Sequence, residues 1–329
     1  MKQGNGVRYR HAVPLRLALA ATAILAFSVN PALATVMYTV TIDDPGTKER
    51  PANFFAAYYD PIKLDVLAAG ARWSQFLVGD ATIDLQIGFS GISTAEGSSV
   101  TTGFVGTLGT LNVFEQGAAA EVRTGIDPNG ASPDGVITIG TNYLVNELAF
   151  DSHTAVRSDQ IPAGKTDAVS VFLHEIGHVL AINGFRSGFD GSLPPGDFES
   201  TFDVYTTFDG TNLFFNGPKA TALYGQPVPL TFGDYPHLGN AAPRPGSDLI
   251  PDLMNGVQLD RETRYDISLL DLAILCDVGV PGTTCQGSVV PEPSTWLLFV
   301  SGLIGLVLLR SRLEGQTGEP SSLGEFQER

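Results

Sequence analysis

The sequence predicts an α+β domain with a buried helix, a small mixed sheet and a loop-rich C-terminal subdomain. The buried helix is indicated by residues 168–180, because apolar side chains occur there on nearly every helical face. A strand with one buried face is indicated by residues 83–89, where apolar residues alternate with polar or small ones. Residues 184–217 are rich in Asp, Gly and Phe and lack periodicity, which is typical of a long loop or small subdomain.

The first half of the chain contains one further predicted helix. Leu64, Leu67 and Ala71 recur at near-helical spacing, which predicts a helix from about Ile62 onward. Residues 90–135 are dominated by Gly, Ser, Thr and Ala, so loops and short strands are expected there.

One more strand and a final helix are expected further along. The apolar run at residues 136–139 is typical of a strand. Ser268, followed three residues later by Asp271, resembles a capping box. This pattern predicts a helix that runs through Asp277 and is closed by Gly279.

Length and composition indicate a globular, exported protein. The 329 residues are 43% hydrophobic and 16% charged, which is enough to bury a core. Residues 1–34 combine a basic start, an apolar run and Ala32-Leu33-Ala34, so we expect a signal peptide and a mature chain beginning near Thr35. The apolar run is shorter than the about 20 residues of a membrane-spanning helix, although an N-terminal anchor is the alternative. A net charge of −16 argues against nucleic acid as a partner.

The sequence has two cysteines, Cys276 and Cys285, which flank a turn-like segment. In an oxidising compartment they could close a small loop as a disulfide. The alternative is a pair of buried thiols, because spacing alone does not show whether their Cα atoms approach closely enough.

The segment His174-Glu175-Ile176-Gly177-His178 carries the candidate chemistry. On a helix, two imidazoles four residues apart point the same way and can bind two corners of a Zn²⁺ ion. A catalytic zinc takes three protein ligands and leaves one position open, so a third ligand must come from elsewhere. Glu175 can reach a water molecule at the open position and act as general base. A core helix that contains these residues by chance is the alternative.

The residues around this motif indicate where its helix begins and ends. Thr166 and Asp167 offer a cap at the start, and Asn183 followed by Gly184 predicts the end. Gly177 costs a helix about 1 kcal/mol relative to Ala. We therefore expect another backbone or side chain to pack closely against Gly177.

Three residues are candidates for the third ligand. His153 precedes the motif, outside the usual order, and is expected to be a surface residue. Glu199 and Asp203 resemble the Glu-x-x-x-Asp of thermolysin-like enzymes, but the Pro- and Gly-rich residues just before Glu199 argue for a loop. His237 is favoured, with Glu199 as the alternative.

The order of His237 and the later segment Asp252-Leu253-Met254-Asn255-Gly256 resembles that of the metzincin zinc peptidases. In the leishmanolysin-like branch the third His follows a long insertion, so the resemblance implies His174, His178 and His237 as zinc ligands. It also implies that Met254 is the Met-turn residue beneath the metal and that the fold is metzincin-like. The sequence departs from the pattern at Ala181 and Gly184, where the family has Gly and a ligand His. Ala181 is expected to prolong the helix.

The resemblance extends to exported bacterial proteins with a PEP-CTERM sorting tail. Residues 215–220, 224–230, His237 and the later Leu-Met pair occur in the order found in that group. Near the C-terminus, residues 290–295 precede a short apolar run and a basic cluster, which resembles the PEP-CTERM signal itself. This resemblance implies recognition by an exosortase in a Gram-negative bacterium. At 1.5 Å per residue, the apolar run at 296–309 spans about 21 Å, short for a permanent membrane anchor, which is the alternative.

The loop at residues 127–135 could hold a calcium ion. Asp127, Asn129 and Asp134, around Gly130 and Gly135, are residue types that could coordinate Ca²⁺. Asx turns account for the same residues, and turns are the favoured interpretation.

Together these patterns predict four segments: a signal peptide at 1–34, a zinc metallopeptidase domain at 35–288, a sorting signal with a short apolar helix at 289–312, and a polar, disordered tail at 313–329. The expected function is hydrolysis of protein or peptide substrates at the cell surface or outside the cell, after export across the inner membrane. An unprocessed chain would stay attached to the membrane through its C-terminal segment. The alternatives are a non-catalytic surface or matrix protein with a structural or degenerate metal site, and a hydrolase of a non-peptide bond.

Overall fold

A computed structural model of the chain describes residues 35–239 and 249–285. The predicted signal peptide, the sorting signal with its short apolar helix and the polar tail all lie outside the described residues. The described part is a mixed α+β structure with several helices and small sheets. This agrees with the α+β class expected from the sequence.

The helices are short apart from two that pack on the main sheet. In chain order they are α1 (Tyr59–Ser74), α2 (Gly117–Thr124), α3 (Thr141–Asn146), α4 (Ala168–Leu180), α5 (Pro218–Tyr224) and α6 (Leu269–Asp277). Two 3₁₀ turns cover Ala56–Tyr58 and Asp203–Tyr205.

Twelve strands are present in the described residues. They are β1 (Met37–Ile42), β2 (Thr82–Ser90), β3 (Ala95–Ser99), β4 (Thr102–Leu108), β5 (Leu111–Gln116), β6 (Gly135–Gly140), β7 (Leu148–Ala149), β8 (Thr166–Asp167), β9 (Phe198–Ser200), β10 (Thr206–Phe208), β11 (Leu213–Phe215) and β12 (Val228–Pro229). The expected strands at 83–89 and 136–139 are therefore confirmed as β2 and β6.

The main sheet has the strand order β1-β2-β6-β3 and is mixed. Strands β1, β2 and β6 are parallel, and β3 runs antiparallel to β6 at one edge. Ile83, Leu85 and Ile87 of β2 are fully buried, while the residues between them are only half-buried. This two-residue period gives the sheet one apolar face for the helices to cover.

Helices α1 and α4 pack against each other and carry much of the core. Every residue of α4 is buried, as its sequence predicts. The indole Nε1 of Trp73 in α1 donates a hydrogen bond of 2.9 Å to the carbonyl of Leu173 in α4. Asp167 caps α4 by accepting from the amide of Ser170 at 2.9 Å, which confirms the expected start. The helix that carries the histidine motif is thus held at its start and along its length.

Two sequence predictions about helices in the first half of the chain were inaccurate. Helix α1 begins at Tyr59, three residues before the expected start, and Pro61 lies in its first turn, where a proline costs little. Helix α2 lies within residues 90–135, where only loops and short strands were expected. Its eight residues are too few, and too rich in small side chains, to produce a clear helical period.

The part of the chain after α4 consists of short elements joined by loops, as expected. Strands β10, β11 and β12 form a small antiparallel sheet, and β9 pairs with β5 of the β4-β5-β9 sheet. Ser268 and Asp271 form the predicted capping box at the start of α6. Cys276 and Cys285 form a disulfide with a Cα–Cα distance of 5.0 Å, which fastens the end of α6 to the segment after it.

Candidate metal centre

Three imidazoles converge at one point on the surface of α4. The Nε2 atoms of His174 and His178 are 3.1 Å apart, and His237 places its own Nε2 at 3.1 Å from the first and 3.0 Å from the second. Because His174 and His178 are four residues apart on one helix, their convergence is a local property of the sequence. His237 arrives from 59 residues further along the chain and closes the triangle.

The outer nitrogen of each ring is bound to a backbone carbonyl. Nδ1 of His174 lies 2.7 Å from the carbonyl oxygen of Leu253, and Nδ1 of His178 lies 2.7 Å from that of Ile182. Nδ1 of His237 lies 2.9 Å from the carbonyl oxygen of Asp234. Since a carbonyl only accepts, each neutral ring must donate its Nδ1–H outward and turn an Nε2 lone pair toward the other two.

Three lone pairs about 3 Å apart repel one another unless a cation lies between them. Zn²⁺ with tetrahedral angles and Zn–N bonds of about 2.0–2.1 Å separates its nitrogen ligands by about 3.3 Å. The observed separations of 3.0–3.1 Å are close to that value. Hydrogen bonds from the outer nitrogen to a carbonyl are also the usual support of zinc-binding histidines. The donor set therefore fits a zinc ion.

Helix α4 ends at a point that brings a backbone carbonyl next to the ring of His178. The helix ends at Leu180, so the expectation that Ala181 would prolong it to Asn183 and Gly184 is wrong. Ala181 adopts an extended φ of 172°, and the chain then turns so that the carbonyl of Ile182 reaches the ring of His178. An alanine can therefore stand where the metzincin pattern has glycine, because this exit does not require a left-handed residue.

Backbone hydrogen bonds of His237 and of the next residue hold this segment in place. The carbonyl of His237 accepts from the amide of Thr231 at 2.8 Å, and the amide of Leu238 donates to the carbonyl of Met254 at 2.8 Å. The same turn supplies the carbonyl of Leu253 that orients His174. The segment around Met254 thus positions two of the three rings.

Met254 is fully buried and lies against the helix at Gly177. A methyl carbon placed on Gly177 would lie 2.7 Å from Sδ of Met254 and 3.4 Å from the ring of Trp73. The expectation that a side chain packs closely at Gly177 is confirmed. A glycine between the two histidines lets the Met254 side chain approach the helix backbone.

Glu175 lies beside the triangle, at a cavity of about 240 Å³ that His174 and His237 also line. Its side chain is nearly inaccessible, and burial raises the pKa of Glu175 to about 8, although the charge of His237 and the backbone of Gly97 act in the opposite direction. A carboxyl with a raised pKa takes up a proton readily near neutral pH. Glu175 is therefore placed where it can exchange a proton with a group in the cavity.

Burial also affects the protonation of the rings. It lowers the pKa of His174 to about 3, assisted by the charge of His237, and lowers the pKa of His178 well below the usual value. Burial acts in the same direction on His237, but the hydrogen bond and charge of Asp234 outweigh it and raise the pKa of His237. The two helix-borne rings are therefore neutral near pH 7, as metal ligands must be.

The other two ligand candidates lie apart from this group. Glu199 is on β9 and pairs with Arg186 at 3.3 Å. The exposed His153 is bound to Asp159. Among the described residues, the potential metal ligands grouped with His174 and His178 include His237 and neither of these two.

Two further residues of the site were not singled out from the sequence. Asp234 precedes His237 by three residues, and its Oδ1 lies 3.3 Å from Nδ1 of that ring. Tyr143 of α3 is buried and lines the same cavity as Glu175. Asp234 could have been suspected from its spacing to His237, but nothing in the sequence around Tyr143 distinguishes it from a core tyrosine.

Comparison with known proteins identifies the C-terminal segment. The PEP-CTERM protein-sorting motif matches residues 289–312, the range expected from the sequence. No curated protein and no solved structure matches the chain. No helix within residues 35–239 and 249–285 is long and apolar enough to cross a membrane, and the apolar run at 296–309 lies outside those residues. The exosortase machinery recognises this motif, so its presence indicates that the chain is exported and sorted to the cell envelope or surface.

Proposed function

We propose that the chain is a zinc-dependent metalloendopeptidase of metzincin-like type. The observation that carries the proposal is the convergence of three imidazole Nε2 atoms within 3.1 Å, next to the buried carboxyl of Glu175. His174, His178 and His237 would hold the zinc, and Met254 would be the Met-turn residue beneath it. The mixed sheet, the buried helix and the turn that orients His174 are consistent with this assignment.

A catalytic role is favoured over a structural one by the number of ligands. Structural zinc sites almost always have four protein ligands, whereas catalytic sites have three. Within residues 35–239 and 249–285, the group around the triangle contains three potential ligands. It also adjoins a cavity that a substrate could enter.

Glu175 is the proposed general base. When bound, zinc would act as a Lewis acid on the scissile carbonyl and make a water molecule a stronger acid. The Glu175 carboxylate would accept the proton from the attacking water and deliver it to the nitrogen of the leaving amine. Its burial keeps bulk water away, so the proton is passed between a few fixed groups.

The position of β3 supports a peptide as the substrate. This strand lies at the edge of the main sheet, and Thr94, Ala95 and Glu96 line the cavity beside Glu175. An edge strand presents backbone donors and acceptors with which an extended peptide can pair. A peptide bound in this way would pass directly by the triangle.

Three variants test the proposal. Zinc content is measured by inductively coupled plasma mass spectrometry. We expect about one zinc per chain in the wild type and in Glu175→Gln, and loss of zinc in His237→Ala. Casein hydrolysis should fall by about 10²-fold to 10⁴-fold in Glu175→Gln, because the general base is lost. His153→Ala is the matched control, since this exposed histidine lies apart from the triangle, and it should keep both zinc and activity.

Two results would count against the proposal. Equal zinc affinity in the wild type and His237→Ala would show that His237 is not the third ligand and would favour Glu199 instead. Stable zinc binding by the wild type without hydrolysis of casein or other unfolded substrates would favour the alternative, a surface or matrix protein with a structural or degenerate metal site.

A further inference from the structure

A buried carboxylate, Asp203, connects the two chain segments that bring His178 and His237 to the triangle. It lies in the 3₁₀ turn that follows β9 and is fully buried. In its own turn, Oδ2 of Asp203 accepts from the amide of Ser200 at 2.8 Å. Asp203 stands out in the sequence with Glu199 as part of a possible ligand motif, but within residues 35–239 and 249–285 neither is grouped with the histidines. Its hydrogen bonds point to a different role.

The carboxylate of Asp203 first holds the chain that leaves α4. Its Oδ2 accepts from the amide of Phe185 at 2.9 Å, and its Oδ1 accepts from the amide of Arg186 at 3.3 Å. Phe185 follows Ile182 by three residues, and the carbonyl of Ile182 orients the ring of His178. Asp203 therefore fixes the backbone just beyond the carbonyl on which this ligand depends.

The same carboxylate also binds the segment that carries the third imidazole. The hydroxyl of Tyr235 donates to Oδ1 of Asp203, and Tyr235 precedes His237 by two residues. The ring of Tyr235 packs edge-to-face on Phe202, with ring centroids 5.7 Å apart, and Phe202 is fully buried in the core. The side chain of Tyr235 thus anchors the loop of His237 beside the end of α4.

The hydrogen bond between Tyr235 and Asp203 lies directly against the backbone at Gly184. A methyl carbon placed on Gly184 would lie 2.3 Å from the hydroxyl oxygen of Tyr235 and 2.6 Å from Oδ1 of Asp203, too close for a real side chain. Gly184 follows Ile182 by two residues. A glycine at this position therefore leaves room for the hydrogen bond at the point where the two ligand segments meet.

His237 is the ligand that most needs such an anchor. The positions of His174 and His178 relative to each other are set by the helix, whereas His237 arrives from 59 residues further along the chain. On one side of His237, the amide of Leu238 is bound to the carbonyl of Met254. Tyr235, on the other side, is bound to Asp203. The third imidazole is therefore held between two fixed points.

A purely structural role for Asp203 would not require the tyrosine. Three backbone amides already donate to the carboxylate, and Nε of Arg186 lies 3.9 Å from Oδ1. The Tyr235 hydroxyl adds a further, charge-assisted hydrogen bond to a buried anion. Because this additional donor belongs to the segment of the third ligand, its geometric effect falls on His237.

We propose that Asp203 and Tyr235 form a positioning pair for the zinc site, which fixes the imidazole of His237 relative to that of His178. The inference rests on the zinc site of the proposed function. The pair acts through two backbone segments and does not ligate the metal. Removing residues that orient zinc ligands typically costs about 10-fold to 100-fold in metal affinity or activity. The pair would thus determine how well the three nitrogens match one ion.

Tyr235→Phe tests the pair with a minimal change, because it removes the hydroxyl and keeps the ring against Phe202. We expect the dissociation constant for zinc to rise about tenfold in competition with a chromophoric chelator. In cobalt-substituted protein, the visible absorption bands of Co²⁺ should change as well. In casein hydrolysis kcat should fall while KM changes little, since neither Tyr235 nor Asp203 lines the cavity beside Glu175.

Tyr205→Phe is the matched control. Tyr205 packs on Phe215, which in turn packs on Phe202, so both tyrosines belong to one aromatic cluster. The hydrogen bonds that Asp203 accepts within residues 35–239 and 249–285 do not include the hydroxyl of Tyr205. Tyr205→Phe should therefore bind zinc and cobalt like the wild type.

A double-mutant cycle examines the hydrogen bond from its other end. Asp203→Asn removes the charge that accepts from Tyr235, so it should weaken zinc binding at least as much as Tyr235→Phe does. If the two residues act through one hydrogen bond, their effects are not additive. The double variant should then bind zinc about as tightly as Asp203→Asn alone.

Several results would overturn the inference. Tyr235→Phe could bind zinc as tightly as the wild type with an unaltered cobalt spectrum, even if it is less stable in urea, and the role of the pair would then be structural only. Equal weakening in Tyr205→Phe would show that the hydroxyl of Tyr235 is not the cause. A wild type that binds no zinc would refute both this inference and the proposed function. Zinc binding without casein hydrolysis would refute the proposed function alone, because affinity and the cobalt spectrum still report on the pair.

Discussion

Replacing Gly177 with alanine should destabilise the protein, although alanine is the better helix former. In an exposed helix the change would add about 1 kcal/mol of stability. Here the new methyl carbon would lie 2.7 Å from Sδ of Met254, well inside normal contact distance. Overpacking of a buried site costs about 1–3 kcal/mol, so we expect a net loss of about 1 kcal/mol.

The strain at Gly177 cannot be relieved freely. Met254 is fully buried, and the amide and carbonyl of its own residue are bound to Asp252 and Leu238. Trp73, on the other side, is fixed by its hydrogen bond to Leu173. Movement of Met254 would shift the neighbouring carbonyl of Leu253 that orients His174, so zinc affinity should fall as well.

Urea unfolding of the zinc-free protein isolates the packing effect. In a Met254→Ala background the methyl group meets no sulfur, so Gly177→Ala should become stabilising by up to about 1 kcal/mol. The sign of the Gly177→Ala effect should therefore reverse between the two backgrounds. An equal effect in both, or a stabilising effect in the wild type, would refute the explanation based on contact with Met254.

Three further perturbations have defined outcomes. Burial raises the pKa of Asp65 to about 8. The unfolded chain loses this proton at a lower pH than the folded protein does. The free energy of unfolding should therefore fall as pH rises from about 4 to 8, by at most about 4 kcal/mol between pH 5 and 8. Asp65→Asn should flatten this dependence in urea titrations; an unchanged slope would exclude Asp65 as its source. Asp234→Asn removes a charge 3.3 Å from Nδ1 of His237 and should weaken zinc binding by about tenfold in competition with a chromophoric chelator; unchanged affinity would leave the backbone carbonyl as the sole support. Replacing Cys276 and Cys285 with serine opens a short loop and should cost about 2–3 kcal/mol in thermal unfolding, whereas an unaltered melting curve would contradict a stabilising cross-link.

Features that depend on neighbouring residues were predicted well from the sequence. The start of α4 at Asp167 and the capping box at Ser268 follow from side chains that bond to amides two or three residues away. The alternation of β2 follows from having one buried face. The close packing at Gly177 could be expected because glycine is otherwise unfavourable within a helix.

Features that depend on distant contacts were not predictable in the same way. The end of α4 was placed too late, since Ala181 and Ile182 carry no sign that the carbonyl of Ile182 bonds to His178. Helix α2 contains Glu121, whose Oε1 accepts a hydrogen bond from the amide of Thr82, 39 residues earlier, and the sequence near the helix carries no sign of this contact. His237 was indicated by family order, but spacing alone could not show that its ring reaches the helix.

The use of main-chain oxygens to orient all three imidazoles has a consequence for mutational tolerance. Because every residue type carries the same peptide oxygen, substitutions at Leu253 or Ile182 that preserve the local turn should leave the tautomers unaltered. In a saturation library at these positions, the variants should therefore differ in folding stability and not in which metal they prefer. The orientation of the three imidazoles should therefore tolerate mutation at the residues whose carbonyls hold them.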